Sequence, residues 1–365
     1  MKRVISIWIL AIVSLGAMAQ EKRMAVVEFS TSYLRLKPDY ESPLETQELM
    51  GTVVEIVGEQ SYWREVVTPQ PYRAWCTDQG LVEMSADELK AYEEAPKVMF
   101  CDLYGHIYKE PSMDSPTICD LVGGDLLRLT TVKDNTDKTL KKALKGRWTK
   151  VMLPSGKTGF VPSKQLKLHN GFRSISMGEG SAESISSETT EAIIAQAEKL
   201  LGVPYLWGGM SAKGVDCSGL VRISHIMNGI LLPRNASQQV KCGERVEMEV
   251  DRRWWEILTS PAAPQNDNVT AAPQNDNVKA SGQNGDTGGL KEEMLRRVKN
   301  LQRGDLVFFG TPATDEKPMR ITHVGIYLGE NKIIHSSHRV RINSLIPGDD
   351  DYYENSHRLV AAIRL

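Results

Sequence analysis

The chain has 365 residues, 41% hydrophobic and 25% charged, with 44 Lys and Arg set against 46 Asp and Glu. This is ordinary globular composition with length for two or three domains. A net charge of −2 without a basic stripe argues against nucleic acid as a partner.

At the N-terminus, Lys2 and Arg3 precede a short apolar run, Val4 to Leu15, and Ala17-Met18-Ala19 is a small-residue cleavage site. The pattern reads as a secretory signal peptide over 1–19, and so as an exported chain, periplasmic or extracellular. The run is too short to span a bilayer, and no later segment is apolar enough to do so. Five cysteines are present, Cys76, Cys101, Cys119, Cys217 and Cys242. An odd count leaves at least one thiol unpaired. No Cys-x-x-Cys or His-Glu-x-x-His occurs, so neither a metal nor a cofactor is expected.

Residues 23–169 carry a weak internal repeat. "KPDYESP" (37–43) returns as "EPSMDSP" (110–116), "LMGTVVEIV" (49–57) as "LVGGDLLRL" (121–129), and "YWREVVTPQPYRAW" (62–75) as "RWTKVMLPSGKTGF" (147–160). Short β-branched runs broken by Pro, Gly and Asp predict two small all-β barrels in tandem, 23–96 and 97–169. They resemble bacterial SH3-like domains. A polar stretch in the second copy, 133–145, reads as a long loop. Residues 170–188, rich in Ser, Gly and Glu, read as a linker.

A last domain is expected over 189–365. It opens with a helix whose Ile193, Ile194, Ala197, Leu200 and Leu201 share a face, ended by Gly202 and Pro204. Residues 251–300 contain the octapeptide "AAPQNDNV" twice, at 262–269 and 271–278. With so little apolar content, this stretch reads as a disordered insertion. Three strands are expected after it, at 305–310, 323–329 and 332–337; "RGD" at 303–305 reads as the turn into the first.

The chemistry centres on "VDCSGL" (215–220). Asp216 is a good helix N-cap, and Leu220, Val221, Ile223 and Met227 predict a short amphipathic helix stopped at Asn228-Gly229. Cys217 then lies in the first turn, where the helix dipole favours a thiolate. A lone cysteine is most often buried and inert. Two strand histidines change the balance, because a thiol nucleophile needs a base and the base needs an orienting group. His323 opens one strand and His335 lies on the next. A plain two-residue loop at Glu330-Asn331 puts them on opposite faces; a three-residue loop, Gly329 to Asn331, sets them diagonally on one face.

"YLWGG" (205–209), "DCSGL" (216–220), "LPRNASQQ" (232–239), "GDLVFF" (304–309), "HVGIYLG" (323–329) and "IIHSS" (333–337) follow the order seen in NlpC/p60 cysteine peptidases, which residues 190–365 resemble. With two SH3-like modules in front, the chain is similar to the γ-D-glutamyl-L-diamino acid endopeptidases of that family. The resemblance implies a papain-like α+β fold, with Cys217 as nucleophile, His323 as base and His335 as the third, orienting residue. It implies peptidoglycan stem peptides as substrates, cut after γ-linked D-Glu, with the Cys217 amide and the Tyr205 hydroxyl at the oxyanion. In the family the first SH3-like domain caps the cleft, and Glu45 and Tyr72 match positions that hold the free amine of an N-terminal L-Ala. Tyr205, Asp216 and Ser218 match substrate-side positions. Asn235 stands where relatives often have Asp, which removes one negative charge from that pocket. His225, His338 and His357 match no motif position, and Cys242 lies outside every motif. The rival readings are an endopeptidase or amidase on intact wall with the SH3-like domains as anchors, an acyltransferase, and a non-catalytic wall-binding protein.

Overall fold

The computed structural model describes residues 22–70, 72–130, 137–178, 184–248, 287–311 and 318–365. Residues 1–19, expected from sequence to be a signal peptide, and positions 251–286 of the insertion lie outside them.

Seven strands build the first unit: β1 (Arg23–Val27), β2 (Thr31–Arg35), β3 (Leu44–Leu49), β4 (Val53–Gln60), β5 (Trp63–Val67), β6 (Arg73–Thr77) and β7 (Leu81–Met84). Alternate residues turn inward, and Ala25, Val27, Leu34, Val54, Ile56, Val66 and Ala74 form its core. Helix α1 (Ala86–Glu94) follows, started by a capping box in which Ser85 and Glu88 satisfy each other's backbone N–H. The second unit has β8 (Lys97–Phe100), β9 (Tyr104–Tyr108), β10 (Thr117–Val122), β11 (Leu126–Leu129), β12 (Trp148–Met152), β13 (Thr158–Pro162) and β14 (Leu166–His169). The strand order is β3-β2-β6-β5-β4-β1-β7 in one sheet and β10-β9-β13-β12-β11-β8-β14 in the other. Copy for copy these are the same, so the internal repeat is a repeat of fold, and both units are SH3-like.

Two sequence expectations need correction here. The repeat was aligned with Leu49 on Leu121, but the backbone sets Gly51 on Gly124: Gly51 N–H donates to Val27 O and Gly124 N–H to Phe100 O. Leu49 therefore corresponds to Val122. The polar stretch expected to be a loop contains helix α2 (Asp137–Ala143), with Leu140, Ala143 and Leu144 packed on the second core.

The C-terminal domain sets helices α3 (Ser187–Lys199), α4 (Cys217–Ile226) and α5 (Ala236–Gln239) against a six-stranded antiparallel sheet. Its strands are β15 (Glu244–Arg245), β16 (Leu306–Thr311), β17 (Arg320–Gly329), β18 (Lys332–Ser337), β19 (Arg339–Ser344) and β20 (Leu359–Arg364), in the order β15-β20-β16-β17-β18-β19. Both faces are covered. Leu306, Phe308, Val324, Ile326 and Ile334 pack with α4, while Val307, Phe309, Tyr327 and Ile333 pack with Met294 and Val298 of α6 (Thr287–Val298). That helix corrects the reading of disorder up to residue 300: three apolar residues, Met294, Val298 and Leu301, suffice because they fall at helical spacing on an apolar sheet face. On α3 the expected face is buried at Ile193, Ile194, Ala197 and Leu200, but Leu201 is exposed.

Helix α4 is not amphipathic in place. All ten of its residues are buried, because SH3-like domains pack on the side away from the sheet. A Cβ on Gly123 or Gly124 would meet Met227, Ile223 and Ile226. The two SH3-like domains also clasp each other: Asp125 accepts from Met50 N–H at 3.1 Å, and Leu126 N–H donates to Met50 O at 3.0 Å.

Candidate active site

The turn that carries Cys217 is built around one carboxylate. Asp216 Oδ1 accepts the N–H of Gly219 at 2.7 Å and so caps α4, while Oδ2 accepts the N–H of Gly208 at 2.9 Å. Gly219 has to be glycine, since a Cβ there would sit 2.0 Å from Gly209 O. Cys217 is thereby fixed at the first position of a buried helix. Its sulfur lies where β17 and β18 part: their pairing stops at Gly325 and His335, Ser336 Oγ donates to Val215 O at 2.9 Å, and the main chain of Val324 and Ser218 hydrogen-bonds Sγ. The expected thiolate is not the resting form. Burial, followed by the nearby Asp216 charge, pushes the thiol up to about 12, against the help of the two main-chain bonds.

The two histidines do share a face, by a route the sequence reading did not consider. The β17–β18 hairpin has a two-residue turn at Glu330-Asn331, both at positive φ, closed by the pair Gly329 and Lys332. The next pair is Tyr327 with Ile333, so Leu328 is an unpaired bulge residue. That one extra residue brings His335 opposite Gly325 and diagonal to His323.

Their hydrogen bonds fix the protons. Asn343 Nδ2 donates to Asp351 O at 2.6 Å, so its Oδ1 must be the atom facing His335 Nε2 at 2.9 Å, and that nitrogen carries a proton. Neutral His335 then accepts at Nδ1, and the 2.7 Å contact with His323 Nε2 is a donation from His323. In neutral His323 this leaves Nδ1 as a bare acceptor, and Nδ1 is buried with no hydrogen-bond partner among the described residues. It is the atom available to take the thiol proton, although no hydrogen bond joins it to Sγ among the described residues. Burial, followed by the neighbouring His335, holds His323 well below the usual imidazole range; burial holds His335 at about 4 despite the Asn343 bond. The ring of Tyr353 packs on both, at 5.7 Å and 4.6 Å between centroids. Neither Asn343 nor Tyr353 was found from sequence; an Asn on the strand after "IIHSS" was the only signal.

The first SH3-like domain reaches the same place. Glu45 is the bulge residue of β3, since Leu34 pairs with Thr46 and Arg35 with Leu44. Its Oε2 accepts from Tyr72 OH at 2.6 Å. Tyr72 in turn meets the side chain of Asn235 and the charge of Arg234; burial, then Glu45, pushes its phenol up. Glu45, Tyr72 and Asn235, separate in sequence, therefore form one cluster. Asp216 and Ser218 are joined to it by Arg234, which sequence reasoning missed although it directly precedes Asn235. Arg234 donates to Asp216 Oδ2 at 2.6 Å and Oδ1 at 3.0 Å, to Ser218 Oγ at 3.0 Å and to Thr46 Oγ1 at 2.8 Å. Tyr205 is held by its backbone, with N–H donating to His338 O at 2.9 Å and a bridge to Val215. His225 lies apart, bonded through Nδ1 to Val221 O.

Residues 202–358 match the NlpC/P60 family. Along most of its length the chain is similar to dipeptidyl-peptidase 6 of Lysinibacillus sphaericus, at 24% identity over 343 residues, 93% of this chain and 98% of that protein. It is 23% identical to the gamma-D-glutamyl-L-lysine dipeptidyl-peptidase of Bacillus cereus over 312 residues, 83% of this chain and 70% of that protein. The crystal structure of an NlpC/P60 family protein from Bacillus cereus shares the fold, with a TM-score of 0.61 and 20% identity over 93% of this chain and 99% of that one.

Proposed function

With an NlpC/P60 cysteine-peptidase domain at residues 202–358, we propose that this chain hydrolyses the bond between γ-linked D-Glu and the diamino acid of peptidoglycan stem peptides, and that it selects those with a free N-terminal L-Ala. The names of the two relatives support the bond and the substrate class. The observation that carries the selectivity is the Glu45, Tyr72 and Asn235 cluster, contributed by two domains beside the Cys217 turn. An ammonium group is stabilised by a carboxylate and an aromatic face in a partly desolvated pocket.

In this mechanism Cys217 attacks the γ-carbonyl as its proton passes to His323 Nδ1. A C–S bond forms, and the carbonyl oxygen becomes an oxyanion met by the Cys217 amide and the Tyr205 hydroxyl. Imidazolium His323 gives its proton to the amine of the diamino acid as the C–N bond breaks. Water then loses a proton to His323 and attacks the thioester, and the departing sulfur recovers its proton. His335, held by Asn343, keeps His323 in the tautomer that leaves Nδ1 bare. The hydrogen bond missing at rest forms when substrate closes the site, as is common for catalytic pairs. The enzyme acts outside the cytoplasm, in keeping with the leader-like residues 1–19.

The test is to incubate the protein with L-Ala-γ-D-Glu-diaminopimelate and with its N-acetylated form and identify products by mass. Rapid release of the diamino acid from the free-amine peptide alone is the expected result. Release from intact sacculi with no preference for the free amine would favour the wall endopeptidase reading instead.

A further inference from the structure

Four consecutive residues of β3, "ETQE", each have a different task at the boundary between the first SH3-like domain and the catalytic domain. Glu45 meets Tyr72 at the pocket. Thr46 Oγ1 accepts from Arg234 at 2.8 Å, and Gln47 Oε1 accepts the N–H of Met210 at 2.7 Å. Glu48 faces Arg222 at 3.5 Å, with their side chains 3% and 2% exposed. The strand also runs close to the glycine turn before the nucleophile: a Cβ on Gly208 would lie 3.1 Å from the Glu45 carbonyl carbon.

Arg222 is on α4, the helix that Cys217 begins, and Glu48 is three residues beyond Glu45. We propose that Glu48 and Arg222 are positioning residues for substrate selection: their buried ion pair ties the far end of the cap strand to the middle of the nucleophile helix and so sets the separation of the amine pocket from the sulfur. This rests on the reading of Glu45 and Tyr72 as that pocket. Packing holds the rest of this boundary, with Leu49, Val122 and Leu126 in one core with Ile223 and Ile226, and the pair adds a fixed charge-to-charge distance within it. Glu48 and Arg222 both line a cavity of about 640 Å³ between the three domains, with Leu49, Met50, Leu126 and Ile226 around it. A buried ion pair is a poor source of stability, since desolvation offsets much of the attraction. What it supplies is a defined distance across the interface.

The test compares wild type with the double variant Glu48→Leu, Arg222→Met, which removes both charges and strands neither. KM and kcat are measured for the free-amine and acetylated tripeptides, with Tm as the check on folding. The expected result is a KM for the free-amine peptide raised on the order of tenfold with kcat held, and an unchanged acetylated peptide, as follows from a displaced binding group rather than a damaged catalyst. Equal losses on both peptides, or an unchanged preference in a folded variant, overturn the proposal. Arg222→Lys, which retains the charge at a different reach, gives a second reading if the double variant does not fold: a KM shift on the free-amine peptide alone supports the pair, and no shift overturns it. Wild-type protein with no preference between the peptides would sink the amine pocket and this inference together; a preference that the variants retain sinks this inference alone.

Discussion

The two SH3-like domains share a strand order but not a role. Gly51 and Gly124 both take positive φ at the same turn, and both domains place a bulge in the third strand, at Glu45 and at Ile118. Position by position, Glu45, Thr46, Gln47 and Glu48 in the first domain stand against Ile118, Cys119, Asp120 and Leu121 in the second. Leu121 is buried in its own domain's core, whereas Glu48 is buried against Arg222 of the catalytic domain. Tyr72 stands against Lys157. The positions where the copies agree are those the fold needs. Where they differ, the first copy sets Glu45 against Tyr72 and Glu48 against Arg222, while the second turns Asp120 to Lys213 of the catalytic domain.

The largest effect to be expected is independent of either copy. Cys217→Ala should end hydrolysis of both free-amine and acetylated tripeptide while leaving Tm near that of wild type, which fixes the floor for the rest. Converting the first domain toward the second is the next test. A single charge-assisted hydrogen bond is worth roughly 1.5–3 kcal/mol, so Glu45→Gln should lower kcat/KM on the free-amine peptide by about ten- to a hundredfold. Glu45→Ile with Tyr72→Lys should lower it further, and Asn235→Asp should raise it. None of these should move the acetylated peptide, and the reverse changes, Ile118→Glu with Lys157→Tyr, should move neither. Equal responses to both peptides would mean that Glu45 only supports its own sheet.

Acid separates the domains in another way. The first has no histidine, whereas burial holds His225 and His335 of the catalytic domain at about 4. The unfolded chain binds these protons near pH 6.5 and the folded chain does not. Stability should therefore fall as pH drops from 6.5 toward 4, by about 1.4 kcal/mol per unit for each group, with the contribution of these two lost by then and His323, held lower still, adding to the same slope. His169 of the second domain is also held at about 4 by burial, but is more exposed and should contribute less. Denaturant titrations across that range check the slope; a flat profile would contradict the buried neutral histidines. The smallest effect belongs to Cys119→Thr, which writes the first domain's residue into the second. It should shift stability by no more than about 0.5 kcal/mol and leave both peptides' kinetics alone.

Local features were legible in the sequence. Asp216 as cap, Cys217 at the helix start and His323 opening a strand all follow from spacing along one segment, and the repeat announced two like domains. What could not be read depended on contacts between distant segments. Arg234 looks like any surface arginine until Thr46 of another domain and Asp216 are brought to it. Asn343 matters only because β19 lies beside β18. Helix α4 reads as amphipathic by pattern, but its polar side, including Arg222 and His225, is closed off by packing that a periodicity does not contain. The resting protonation of Cys217 was misjudged for the same reason: the dipole is local, and the burial that outweighs it is not.

The bulge at Leu328 makes the catalytic pair a matter of odd and even. With Leu328 bulged out, the His323 and His335 rings meet; with that residue removed and the two-residue turn kept, every side chain of one strand changes sides relative to the other. Residues 333–337 are all buried, so the flip would exchange apolar and polar side chains between two packed faces of the sheet. Packing and the meeting of the two rings would be lost together. The meeting of the rings is thus a property of register and not of the turn: a residue added between Gly329 and Lys332 can be absorbed by the loop, whereas one added or lost within the paired strands has to be absorbed by the pairing itself.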